Sequence, residues 1–215
     1  PKESFFLFGP RGTGKTSWLK SHFPKAIYID LLKNDVLNDL RAGPHRLWQM
    51  IPTNYTGPVI IDEIQKLPSL LNEIHSAMNE SRTKYQFILT GSSARKLRMA
   101  GVNLLAGRVR VKNFFPFVAK ELGTDFNLKK ALIYGLLPEA YTSKDPQSYL
   151  ESYLQVYIDQ EVRLEGLVRN VEDFSRFLEA ASFSQASVLN VSNVSSDCGV
   201  PRKTVQSHFE ILNDL

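Results

Sequence analysis

A single cysteine, Cys198, stands among 215 residues. That excludes an internal disulfide and any cysteine-cluster metal centre, and it suits a reducing compartment, so a cytoplasmic setting is expected. The four histidines, His22, His45, His75 and His208, match no ligand spacing. Each is read as structural or surface, and no protein-bound zinc is expected. No apolar run approaches the roughly 18 residues of a membrane span, and no signal-peptide pattern opens the chain, so no membrane contact is expected. Internal repeats and low-complexity tracts are missing, as is an N-K-x-D sequence of the kind that reads a guanine base, which disfavours a GTPase. Pro1 lies just before a strand pattern and Leu215 within a helical one, so the chain is expected to be a piece of something longer.

Acidic residues are also missing from one long stretch. Residues 81–120 hold nine basic side chains (Arg82, Lys84, Arg95, Lys96, Arg98, Arg108, Arg110, Lys112, Lys120) and no Asp or Glu, although the net charge is only +4. The rest of the chain, with 17 basic against 22 acidic residues, is net negative. Positive potential therefore belongs to one region, which suits nucleotide phosphates, a nucleic-acid backbone or an acidic partner, unless it is an ordinary solvated face.

The strongest positive signal is GPRGTGKT, Gly9 to Thr16, directly after the apolar run Ser4 to Phe8 and before a helical pattern from Lys15. The spacing fits G-x-x-x-x-G-K-[ST], in which backbone N–H groups cradle phosphate oxygens. The loop Gly9, Pro10, Arg11, Gly12, Thr13, Gly14, Lys15, Thr16 and Ser17 is thus expected to bind nucleotide, helped by the positive end of the following helix. Lys15 would supply the point charge and Thr16 a Mg²⁺ ligand. Ala26 to Asp30 reads as a second buried strand, followed by a polar, helical region through Ile51. Val59-Ile60-Ile61-Asp62-Glu63, an apolar run ending in two acids, has the form of a Walker B strand. Buried parallel strands deliver such residues to a site at their carboxyl ends. Asp62 is expected to hold Mg²⁺ and Glu63 to polarise an attacking water.

A helix with Leu70, Leu71, Ile74, Ala77 and Met78 on one face should pack on the core. A fourth strand, Tyr85 to Thr90, delivers Thr90, Ser92 and Ser93 to the same edge, where Thr90 or Ser92 could orient the water; a plain Gly-Ser turn is the competing reading. Residues 94–106 suggest a basic helix and a turn, and a fifth strand should start at Gly107. Arg108 is the leading arginine for phosphate charge, in cis or across a subunit contact, with Arg98 and Arg110 as rivals.

Beyond Glu121 helical patterns dominate. Tyr149, Leu150, Tyr153, Leu154, Tyr157, Ile158 and Val162 form an apolar stripe expected to be core, and Phe174, Phe177, Leu178 and Ala181 mark another helix. Residues 191–212 have the cadence of a helix-turn-helix, with Gly199 in the turn, Pro201 opening the second helix, and Val205, Phe209 and Leu212 inward. Residues 190–215 hold two basic and three acidic side chains, so contact with DNA through this segment is electrostatically poor and a packing or regulatory role is the alternative.

GPRGTGKT, YIDL, VIIDEIQKLPSLLNEIH, FILTGSS, LLAGRV and FFPF followed by KEL resemble, in this order, the prokaryotic AAA+-like P-loop ATPases that continue into a winged-helix segment and often a C-terminal nuclease-like domain. The resemblance implies an α/β fold: a P-loop NTPase parallel sheet of order 5-1-4-3-2 flanked by helices, with a catalytic glutamate, followed by an all-helical segment. It implies ATP and Mg²⁺ as ligands, a homo-oligomer or protein partner, and the sensor role near Thr90 and Ser92. Arg108 is the arginine of LAGR. Where family members carry Gly-Gly-x-Pro, this chain has Gly135-Leu136-Leu137-Pro138. The expected organisation is an ATPase domain at 1–124, a helical linker or lid at 125–182, and a partial winged helix at 183–215, with neither the wing nor the nuclease-like domain within these residues. The expected activity is Mg²⁺-dependent ATP hydrolysis coupled to movement of the helical portion; the alternative is a nucleotide-gated DNA-binding or interaction switch with little turnover.

Overall fold

In the computed structural model, residues 3–79, 85–92, 97, 109–157, 162, 168 and 170–214 are described. Five strands form one parallel sheet: β1 (Phe5–Phe8), β2 (Ile27–Asp30), β3 (Pro58–Asp62), β4 (Gln86–Gly91) and β5 (Arg110–Asn113). Their order, β2-β3-β4-β1-β5, is the expected 5-1-4-3-2 sheet seen from its other edge. The helices among them are α1 (Lys15–His22), α2 (Asn34–Ala42) and α3 (Leu70–Asn79), with 3₁₀ turns at Pro44–Met50 and Ile64–Lys66.

Alternating side chains in a strand face opposite sides, and a parallel sheet buries both. That explains why β1, β3 and β4 are almost uninterrupted apolar runs. Phe6, Phe8, Ile29, Val59, Ile61, Phe87 and Leu89 point to one face, where Leu40, Leu47, Leu70, Leu71 and Ile74 cover them. Phe5, Leu7, Ile60 and Ile88 point to the other, packed with Leu19, Trp18 and Phe23 of the segment that opens at α1. Each fully buried side chain of this size contributes about 1.5–3 kcal/mol. The stripe expected on α3 lies on the core as anticipated, with Leu70, Leu71 and Ile74 buried.

The fifth strand begins later than its alternation suggested. It starts at Arg110, and all four of its residues are exposed, because among the described strands β5 lies at the edge of the sheet, beside β1. The expected residues Gly107 and Arg108 lie outside the described part, as do nearly all of 94–106.

The chain divides into two compact units, Pro1–Thr124 and Asp125–Leu215. Continuing from α4 (Ala119–Leu122), the second contains α5 (Leu128–Tyr134), α6 (Pro138–Thr142), α7 (Pro146–Tyr157), α8 (Val171–Ser182), α9 (Val191–Cys198) and α10 (Arg202–Asp214). Asparagines start three of these helices. Asn127, Asn170 and Asn190 each accept backbone N–H groups of the first turn through their side chains, which satisfies donors that a helix start leaves unpaired. Gly199, in the left-handed conformation, ends α9, and Pro201 precedes α10, so the expected helix-turn-helix cadence is present as two helices with a three-residue turn.

Val162, Phe174, Phe177, Val194, Cys198, Val205 and Ile211 build the second core. The expected boundary at 182 falls between α8 and α9, two helices that share it. Along α10, His208 and Ile211 are buried beside Val205, while Phe209 and Leu212 are only partly covered. The expected stripe is core only at its far end: Val162 is buried in the second core, Ile158 lies outside the described residues, and along α7 itself no residue is buried, with Leu154 50% exposed. The reason is that α7 packs on the short helices α5 and α6, which cover part of its apolar arc. Its tyrosines instead run along the helix, the rings of Tyr149, Tyr153 and Tyr157 lying 6.1 Å apart in succession.

Candidate nucleotide site

β1 delivers Gly9 to Gly14 at its carboxyl end, and α1 starts at Lys15 with no acidic residue in its first turn. The loop's shape follows from its glycines. Gly14 has φ 91°, a left-handed backbone that glycine adopts without a Cβ penalty. At Gly9 the constraint is space, since a Cβ there would lie 2.0 Å from the carbonyl oxygen of Phe114. Thr13 tightens the turn by donating to the Pro10 carbonyl at 2.8 Å. Lys15 is buried, and its ammonium donates to the carbonyls of Gly9 at 2.6 Å and Pro10 at 2.8 Å. The lysine thus spans its own loop. Arg11 is half-buried and Ser17 exposed.

β4 lies between β1 and β3 in the sheet, so the carboxyl ends of the three strands meet at one edge. Asp62, the last residue of β3, is where they converge. Thr16 donates its hydroxyl to Asp62 Oδ2 at 3.0 Å, which joins the phosphate-loop motif to the acidic strand end across 46 positions. Thr90 donates to Asp62 Oδ1 and its oxygen accepts the backbone N–H of Glu63 at 3.3 Å. Tyr28, from β2, donates to Asp62 Oδ2 as well. Burial first, and then the Asp62 hydrogen bond, push the Tyr28 phenol far above its ordinary value. It therefore stays a neutral donor to the carboxylate.

Glu63 is buried and leaves the strand in a left-handed conformation, φ 60° and ψ 47°, uncommon for a residue with a side chain. Its carboxyl is pushed above the usual range, chiefly by burial; the cations Arg11 and Lys15 and a hydrogen bond from Gln65 act the other way, and the neighbouring Asp62 adds to the rise. Gln65 donates to Glu63 Oε2 and contacts Ser92 Oγ at 3.4 Å. Ser92 is itself buried.

The expected residues Lys15, Thr16, Asp62, Glu63, Thr90 and Ser92 thus lie at one sheet edge. Arg110 does not. It pairs with Phe5 at the opposite end of β1 and with Glu3 at 2.8 Å. Arg98 and Arg108 are outside the described residues. Two contributors had not been singled out, Tyr28 and Gln65. The signal for each was faint: a polar group within YIDL, and a glutamine in the Ile64–Lys66 turn after the acids.

Among the described residues no three His, Cys, Asp or Glu side chains cluster as a metal cage. The oxygen set of Thr16 and Asp62 nevertheless fits Mg²⁺, a hard cation that is typically held by one or two carboxylates plus substrate phosphates.

A family model described as AAA domain matches residues 1–123. The chain belongs to the AAA-domain family. Its α/β sheet and phosphate loop are those of a P-loop ATPase, a nucleotide-binding family. A second model, described as a domain of unknown function, matches residues 108–215 of this AAA protein. Among solved structures, Thermotoga maritima RuvB aligns at 14% identity over 97% of this chain and 78% of its own, with TM-score 0.45. C. elegans PCH-2 aligns at 16% identity with TM-score 0.37, and the chain spans 61% of its length. No curated protein matches. No helix among the described residues is long and apolar enough to cross a membrane.

Proposed function

We propose that this AAA domain hydrolyses ATP with Mg²⁺, and that residues 125–182 and 183–215 form a helical linker and a helix-turn-helix that respond to the bound nucleotide. The reading is carried by the convergence on Asp62: the hydroxyl of Thr16 lies 3.0 Å from a carboxylate that also accepts from Thr90. Mg²⁺, when bound, would neutralise phosphate charge, with Thr16 and Asp62 as its protein contacts.

The chain's own residues have distinct parts. The backbone N–H groups of Arg11 to Ser17 receive phosphate oxygens. Lys15 exchanges its loop carbonyls for them as a point charge. Glu63 takes the proton of a water whose oxygen bonds to the γ-phosphorus, while the bond from that phosphorus to the β,γ-bridging oxygen breaks and its electron pair leaves on ADP. Thr90 and Ser92 hold the water's side of the site. Arg108 is the proposed source of further positive charge.

Coupling to the helices is supported by one junction. Phe114, just past β5, donates its N–H to the Phe8 carbonyl at 2.6 Å and packs its carbonyl against Gly9. The chain leading to the second unit therefore touches the phosphate loop at its first glycine.

Phosphate release with Mg²⁺ and ATP tests the hydrolase reading. Glu63→Gln should keep nucleotide affinity and lose about 10²–10⁴ in kcat. Lys15→Ala should weaken nucleotide binding by about 10²-fold, the loss of a buried charged donor. Undiminished turnover by Glu63→Gln would remove the base assignment.

A further inference from the structure

Gln65 is 1% exposed, at the middle of a 3₁₀ turn that follows the acidic pair. Burial of a polar side chain costs free energy unless its groups find partners. Its amide nitrogen finds two, the Glu63 carboxylate and the Ser92 hydroxyl. Among the described residues its carbonyl oxygen finds none. Facing a carboxylate fixes the amide's orientation, because only the NH₂ end can donate. The oxygen is therefore left against Gly91, where it would lie 2.4 Å from a Cβ. Gly91 has no such atom, so the glutamine is held in place by the strand end that carries Ser92.

An orphaned acceptor in a closed position is a standing cost, and such costs concentrate where function requires a particular arrangement. The Glu63 backbone carries a second cost at the same spot, its left-handed φ. Both are explained if the turn after β3 exists to aim the glutamate and tie it to β4.

We propose that Gln65 is the positioning residue of this site: its amide bridges the carboxylate of Glu63 to the hydroxyl of Ser92, so that base and water-orienting group move as one. This rests on the ATPase reading above, and Gln65 itself touches no reacting atom. A positioning error of about 1 Å costs on the order of 10²-fold in rate, so losing the bridge lowers kcat while leaving ATP affinity alone.

The test is steady-state phosphate release with Mg²⁺ and ATP by the full chain, together with ATP affinity, for Gln65→Met, Glu63→Gln and the double variant. Gln65→Met should lower kcat by about 10- to 100-fold with affinity within about twofold of the parent. In the Glu63→Gln background the same change should cost nothing more, because Gln65 acts through Glu63. Gly91→Ala provides a second route, since its methyl pushes the Gln65 amide aside while the glutamine remains; it should give the same kcat-only loss and covers the case in which Gln65→Met does not fold. An unchanged kcat in both Gln65→Met and Gly91→Ala overturns the proposal. A full further loss in the double variant overturns it too, by showing that Gln65 acts independently of Glu63. Failure of the underlying ATPase reading looks different: Glu63→Gln alone would then turn over at the parent rate.

Discussion

At the scale of single residues, Asp62 organises the site because three hydroxyls donate to it, those of Thr16, Tyr28 and Thr90. Spacing in the sequence is enough to bring Thr16, Asp62, Glu63 and Thr90 to one place, since strand ends of a parallel sheet share one edge. It was not enough for Tyr28 or Gln65, whose roles depend on which side of β2 faces β3 and on how one 3₁₀ turn folds. Gly9 is the residue with the sharpest constraint. Gly9→Ala puts a methyl into the Phe114 carbonyl, and backbone must shift to admit it, a cost of about 1–3 kcal/mol, to be read as a lowered midpoint in urea. Because that contact lies on the path to residues 125–215, hydrogen exchange in those residues should differ between ADP and ATP states in the parent and differ less in Gly9→Ala. Identical exchange in both nucleotide states of the parent would refute the coupling.

Among elements, α10 shows how a polar letter hides a buried position. His208 follows Val205 by three residues, on the face that packs inward, and it sits with its ring 5.0 Å from Phe174 and 5.1 Å from Phe177. Periodicity points inward at 205, 209 and 212, and of the two roles the sequence leaves open for His208, structural or surface, the structure shows the structural one. Burial holds its imidazole below the ordinary value, with Asp173 opposing that shift. A depressed folded pKa stabilises above the unfolded value of about 6.5 and loses that stability as pH falls from there through the folded value. Acidification across this window should therefore lower the urea midpoint of the helical unit, and His208→Phe should flatten the dependence. An equally steep acid limb in His208→Phe would show that another group is responsible. The reverse holds on α7, where a regular apolar stripe promises a core that the helix itself does not form. Periodicity reveals that a helix has a face, and the lengths of its neighbours decide how much of it is covered.

For the molecule as a whole, the break between the two compact units is legible as a change in pattern near residue 124, from buried strands to helices, whereas the further division expected at 182 cuts through one shared helical core. The positive region at 81–120 was legible as charge, but Arg98 and Arg108 lie outside the described residues, so the source of the proposed arginine charge rests on sequence. One feature of the larger unit reaches the laboratory directly. Only two tryptophans exist in the chain, and they occupy contrasting places. Trp48 meets Phe87 edge-on at 6.3 Å in the core beneath the sheet. Trp18 lies one turn past Lys15, against His22 at 4.3 Å and Phe114 at 5.7 Å. Trp18 thus sits between the first turn of α1 and the strand that leads onward, so its emission should report occupancy of the loop without any added dye. Titrating Mg²⁺ and ATP should change the fluorescence of Trp48→Phe and leave that of Trp18→Phe constant; a signal retained in Trp18→Phe would locate the change elsewhere.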